Sequence, residues 1–207
     1  MKKIFTLIGA IALSISGVNA QMPVTEGNFI IDAYAGIPNW GNILFNQDAE
    51  TSNYKVKGSL LSYGGRFEYM IADNFGVGAD VNYEVSGASW DYISSYYNEG
   101  TMTYTDVTYT DTYTSKKLRA MVRLNYHFVQ NDRIDAYAGF GGGYKNVNRT
   151  FTSTDPFYTD SNSKALIPVA FRIAVGTRIY FTNNIGAMIE LGAGGGGLLQ
   201  FGLSAKF

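Results

Sequence analysis

From Leu118 to Phe128 apolar and polar side chains alternate one for one. Leu118, Ala120, Val122, Leu124, Tyr126 and Phe128 form one set, and Arg119, Met121, Arg123, Asn125 and His127 form the other. Successive side chains of a strand point to opposite faces, so this segment has one apolar face and one charged face. A helix would scatter both arginines among the apolar residues. The length suits a strand that crosses a bilayer at a tilt, which takes roughly 9–11 residues.

The same period recurs along the chain. It predicts strands at about Asn28–Ile37, Leu60–Ile71, Phe75–Val85, Leu118–Phe128, Ile134–Lys145, Ile167–Phe181, Ile185–Ala193 and Leu199–Phe207, eight in all. Pro38-Asn39-Trp40-Gly41 ends the first, and a polar segment follows to about Lys57. Ser86–Lys116 and Asn146–Lys164 are the other long connections, both polar. Within the former, Thr101–Thr114 alternates Thr with Tyr, Asp, Met and Val. That predicts a hairpin arm standing in water, with high β-propensity and no apolar face. Ala72-Asp73-Asn74, Val129–Arg133 and Thr182-Asn183-Asn184 are tight turns. Short turns at one end and long loops at the other are the asymmetry of bacterial transmembrane barrels. The expected fold is therefore all-β: an eight-stranded antiparallel up-and-down transmembrane β-barrel with a polar lumen filled by side chains.

Alternation alone does not say which face is outside, because a soluble barrel of the same size encloses its apolar face. Two features favour lipid outside. Glycines fall mostly on the polar faces, where a narrow interior needs small residues. Aromatics gather where strands would leave the hydrocarbon: Phe29, Tyr69, Phe75, Tyr126, Phe128, Phe181 and Phe207 at one end, Tyr83 and Tyr144 at the other. The polar faces then supply a lumen network of Asp32, Glu68, Asp80, Glu84, Asp135 and Glu190 against Arg66, Arg119, Arg123, Arg172 and Arg178, with Lys117, Lys145 and Lys206 beside them. Buried charges are costly unless paired, which predicts a ladder of salt bridges.

Composition adds limits. With 24 Gly, 16 Tyr and 13 Phe the chain suits strands and turns rather than helices. It has no Cys, so disulfides and thiolate metal sites are excluded, and no cofactor is expected. The formal charge of −1 has no basic run for nucleic acid. Met1–Ala20 has Lys2 and Lys3, an apolar run from Ile4 and small residues at Val18-Asn19-Ala20, and reads as a secretory signal peptide. The barrel domain would then be Gln21–Phe207.

Three motifs bear on chemistry. Gly192–Gly197 fits G-x-G-x-x-G, but a strand follows it where a dinucleotide site needs a helix; a flexible hairpin loop is expected. His127, the only histidine, would point inward near the short-turn end without a serine motif, a structural rather than catalytic placement. The loop aromatics Trp40, Trp90, Tyr92, Tyr96, Tyr97, Tyr104, Tyr109 and Tyr113 are contact candidates, since Tyr offers rigid area with a polar tip. Packing of loop against loop would use them equally well.

Leu203-Ser204-Ala205-Lys206-Phe207, the Asp73-Asn74-Phe75-Gly76 turn and Asp135–Tyr144 resemble the small outer-membrane barrels of the OmpA and OmpX kind. The resemblance covers Gln21–Phe207. It implies an exported, monomeric outer-membrane protein among lipids and lipopolysaccharide. It also implies delivery by periplasmic chaperones to the barrel-assembly machinery, with Phe207 as the assembly signal. The Thr-Tyr arm is similar to the protruding strands of OmpX-like proteins, implying adhesion to an extracellular surface ligand. The chain is expected to stop at the barrel, without a peptidoglycan-binding domain. The expected role is structural or surface contact without enzymatic activity. The alternatives are a narrow porin-like channel for ions or small solutes and, third, a lipid-modifying enzyme.

Overall fold

The computed structural model describes residues 24–37, 52–131 and 133–207. The signal segment Met1–Ala20, the Pro38–Gly41 break, Trp40 and Asp132 lie outside the described residues.

The strands are β1 (Phe29–Ile37), β2 (Ser52–Gly58), β3 (Ser62–Ala72), β4 (Phe75–Asn98), β5 (Thr103–Gln130), β6 (Ile134–Ser153), β7 (Ser161–Lys164), β8 (Val169–Tyr180), β9 (Ile185–Gly194) and β10 (Leu199–Lys206). Eight of them pair antiparallel in the order β1-β3-β4-β5-β6-β8-β9-β10, and β10 closes on β1 from Ile30↔Lys206 to Ile37↔Leu199. The closed, eight-stranded antiparallel barrel expected from the alternation is the fold observed. Closure leaves no free edge around the barrel wall, which hydrocarbon would not tolerate.

The two faces are inverted relative to a water-soluble core. Ile173, Val175 and Leu203 are 59, 55 and 64 % exposed on the outside. Arg178, Asp80, Asp135 and Glu190 are fully buried within. β8 shows the pattern without interruption, exposed and buried in turn from Val169 to Val175. At about 3.3 Å per residue and a tilt of about 40°, the 12 residues of β8 reach roughly 30 Å, the thickness of a hydrocarbon core. The aromatics expected at the interfaces face outward: Phe29, Tyr126, Phe128, Phe181 and Phe207 at the short-turn end, Tyr83 and Tyr144 at the other.

Three loop expectations are corrected. Ser86–Asn98 is the upper half of β4, paired with β5 from Ser86↔Ser115 to Asn98↔Thr103. Its Ser-Gly-Ala-Ser stretch lacks alternation, but the Thr-Tyr strand opposite supplies a ladder partner. Asn146–Ser153 continues β6, and Ser161–Lys164 returns along it as β7. The polar stretch before Gly58 contains β2, which pairs with β4 from Ser52↔Asp91 to Gly58↔Ser86. The result is a sheet that rises beyond the barrel rim on the long-loop side.

Candidate functional site: the sealed lumen and the protruding sheet

The lumen is closed in three layers. At the short-turn end Val24, Ile30, Met70 and Tyr180 form a buried apolar cluster. Ile30, Met70 and Tyr180 fall on the inward register of their strands. Val24 precedes β1 and folds under the barrel, so no periodicity announced it. The Lys206 ammonium lies 5.2 Å from the centre of the Tyr180 ring.

Above this stopper sits the ionic network. Arg178 donates to Glu68 Oε2 at 2.6 Å, Asp32 Oδ2 at 2.9 Å and Asp135 Oδ2 at 3.0 Å. His127 bridges the same acids, Nδ1 lying 2.6 Å from Asp135 and Nε2 2.9 Å from Glu68. One layer higher, Glu190 accepts from Arg172 Nε at 2.8 Å, from Tyr137 Oη at 3.0 Å and from Arg66 and Arg123. Asp80 accepts from Tyr34 Oη at 2.5 Å, Arg66 Nε at 3.2 Å and Arg123 Nη1 at 3.3 Å. Near the rim Glu84 takes Lys117 Nζ at 2.6 Å and Arg119 Nη1 at 3.0 Å. All eleven predicted lumen residues are thus buried and in ionic contact with at least one other of the set. Glycine makes room for the larger ones: a Cβ at Gly176 would come within 2.6 Å of the Tyr137 ring.

The third layer is the Gly194–Gly197 turn, which folds inward rather than away from the barrel. Gly194, Gly196 and Gly197 hold φ of +111°, +88° and +92°, a region costly for any residue with a Cβ. Gly195 and Gly197 carbonyls accept from Arg172 Nη1 at 2.6 and 2.9 Å. The Gly196 carbonyl accepts from Ser62 Oγ at 2.6 Å and Gln200 Nε2 at 3.0 Å. The expectation of a free hairpin loop is corrected: these carbonyls are tied to buried side chains. No helix follows, so the turn has none of the dipole that a dinucleotide site uses.

The loop aromatics separate by strand parity. Trp90, Tyr92 and Tyr96 on β4 share the inward-continuing face with Tyr109 and Tyr113 on β5. There Tyr92 packs on Tyr109 with centroids 5.7 Å apart, Tyr96 on Tyr109 at 6.5 Å and Trp90 on Phe151 at 6.0 Å. Tyr92 Oη donates to Asp155 Oδ2 at 2.8 Å, and the Tyr109 phenol is pushed up to about 12, chiefly by its hydrogen bond with Tyr96. Tyr97 and Tyr104 pair on the opposite face, 5.2 Å apart. Thr108, Thr110, Thr112 and Thr114 line that opposite face too. So the arm does have an aromatic face, contrary to expectation, and part of the Tyr set packs internally. Among the described residues no strand pairs with β4 beyond Asp91 on the side away from β5.

At the terminus Phe207 is exposed, and its backbone N–H donates to the Phe29 carbonyl at 2.8 Å. Among the described residues no group of three or more His, Asp or Glu is placed to hold a metal ion.

A barrel with a hydrocarbon-facing exterior and a charged, filled interior is a bacterial outer-membrane barrel. The chain belongs to the outer membrane protein beta-barrel domain family, whose pattern matches residues 8–196. The fold is similar to the outer membrane protein OprG from Pseudomonas aeruginosa, with a TM-score of 0.51 and 13 % identity over 90 % of this chain and 99 % of that one. Also similar is the N-terminal β-barrel domain of Pseudomonas aeruginosa OprF, with a TM-score of 0.47 and 15 % identity over 88 % and 99 %. Ail, the attachment invasion locus protein of Yersinia pestis, seen with the heparin analogue sucrose octasulfate, has a TM-score of 0.46 and 11 % identity over 88 % and 99 %. No curated protein matches the chain. The protein resides in the bacterial outer membrane.

Proposed function

We propose that this protein is a sealed, non-enzymatic barrel whose role is surface contact through the sheet above its rim. The observation that carries the reading is the continuous pairing of β4 with β5 out to Asn98↔Thr103, which makes a stiff arm whose Tyr92–Asn98 edge is paired by no other strand among the described residues. An exposed edge can add a strand from a partner through main-chain hydrogen bonds, with side-chain pockets lending selectivity. Tyr97 and Tyr104 stand exposed beside that edge. The filled lumen argues against a porin-like role, because an apolar stopper and a pinned turn lie at its two ends. His127 argues against catalysis, because both ring nitrogens are engaged by acids. Export by the N-terminal segment, assembly of Gln21–Phe207 as a monomer with chaperone help, and Phe207 as the assembly signal belong to the same proposal.

The test replaces Tyr92–Tyr109 by Asn-Gly, a two-residue turn that suits the Asp91↔Thr110 pair. Cells carrying the shortened barrel should lose attachment to matrix proteins or animal cells that full-length protein confers. Equal attachment by both would refute the arm's role. A steady porin-sized conductance from full-length protein in planar bilayers would favour the channel instead.

A further inference from the structure

One cavity lies at the upper margin of the network. It measures about 200 Å³ and is lined by Arg119, Lys145, Gly195, Val169 and Phe171, among others. Its position follows from the strand ends. β6 continues upward past Lys145, whereas β8 begins at Val169 and β9 stops at Gly194, so the wall drops beside Lys145. Lys145 N–H donates to the Pro168 carbonyl at 2.7 Å, and Gly195 N–H to the Phe171 carbonyl at 3.1 Å. Those bonds fix the floor of the notch and leave the two cationic side chains facing it.

The electrostatics of the notch are unbalanced. Arg119 and Lys145 are direct cross-strand partners. Like charges at such positions repel, which destabilises a sheet unless something lies between them. Glu84 is the acid that Arg119 touches, and it is shared with Lys117. Among the described residues the Lys145 ammonium has neither an ion-pair nor a hydrogen-bond partner. Two cations therefore share one carboxylate at this corner of the rim, and a third, Lys145, faces open space without one.

We propose that the notch binds a phosphate oxyanion, held by Lys145 and by the free side of the Arg119 guanidinium. A guanidinium and an ammonium at one opening suit such a group, since each supplies charge-assisted donors to its oxygens. Two sources share this chemistry. The oxyanion is free phosphate, or it is the headgroup of an anionic lipid. Val169 and Phe171, on the lipid-facing register and 59 and 55 % exposed, provide an apolar slope on which an acyl chain would lie.

The test uses the full barrel refolded in neutral detergent, with inorganic phosphate titrated by calorimetry as one arm. In the other, native mass spectrometry counts lipids retained from micelles containing either phosphatidylglycerol or phosphatidylcholine. Lys145→Gln should weaken binding by about tenfold or more, the worth of a charge-assisted contact. Lys116→Gln, an exposed lysine on the outward register of β5, should leave it unchanged. Loss of phosphate binding in Lys145→Gln identifies a free oxyanion. Loss confined to phosphatidylglycerol retention identifies a lipid headgroup. The proposal is overturned if neither arm distinguishes Lys145→Gln from wild type, or if Lys116→Gln has an equal effect. Far-UV circular dichroism of each variant shows that the barrel is intact. The result is independent of the arm's role in surface contact.

Discussion

His127 Nδ1 lies 2.6 Å from Asp135 Oδ1, a contact made across the turn that joins β5 to β6. The other ring nitrogen reaches Glu68 on β3, so one side chain ties together three strands. His127→Ala would take one partner from each carboxylate, leaving Arg178 shared between them. The expected loss is about 1–3 kcal/mol, the usual consequence of removing a buried hydrogen-bond partner. It should appear as a lower urea midpoint for the barrel refolded into vesicles. An unchanged midpoint would show that the bridge contributes nothing.

Glu190 should be the most sensitive position in the lumen. It is fully buried and accepts from Arg66, Arg123 and Arg172. Glu190→Ala takes one acceptor from each of three buried guanidinium groups, and breaking even one buried pair costs about 3–5 kcal/mol. Glu190→Gln retains a carbonyl acceptor and should fall between Ala and wild type. Equilibrium unfolding of the three proteins tests that order, and equal stability of Gln and Ala would contradict it.

Gly176 and Tyr137 should be coupled. A methyl at Gly176 would press on the Tyr137 ring at 2.6 Å and disturb the Tyr137 hydroxyl, which donates to Glu190 Oε2 at 3.0 Å. Overpacking of this kind costs about 1–3 kcal/mol. In a double-mutant cycle, Gly176→Ala should be markedly less harmful when Tyr137 is already Leu. Strict additivity would mean that the glycine is there for another reason.

The arm should respond to alkaline pH. The Tyr109 phenol is raised to about 12, first by its hydrogen bond with Tyr96 and then by burial and neighbouring charge. An unfolded Tyr ionises near 10. Below that pH the packing of the arm is fully favoured; as pH rises from 10 toward 12 the unfolded arm loses its proton first and the advantage disappears. The difference between ultraviolet titrations of wild type and Tyr96→Phe should amount to one tyrosine whose ionisation returns from about 12 toward 10. Identical titrations of wild type and Tyr96→Phe would refute the contact.

The barrel strands were legible because hydrocarbon outside and salt bridges inside enforce the same period of two on β1, β3, β5, β8 and β9. The identity of the lumen residues followed from that register. Their partners did not, since Arg66 meets Gln200 across 134 positions of chain and only closure decides such pairs. Val24 escaped notice for a different reason: it packs from outside any strand. The upper half of β4 was read as a loop because Ser86–Ser89 carries no periodic signal, yet pairing needs only a backbone partner. In Gly192–Gly197 composition disclosed a turn but not its direction, which depends on Arg172, Ser62 and Gln200 waiting beneath it.

Arg66, on β3, finds its acceptors on β1, β4, β9 and β10. A half-made sheet of β1, β3 and β4 would give Arg66 only its cross-strand neighbours Asp32 and Asp80, without the acceptors that β9 and β10 bring. The full set of its partners exists only once the last strand has met the first.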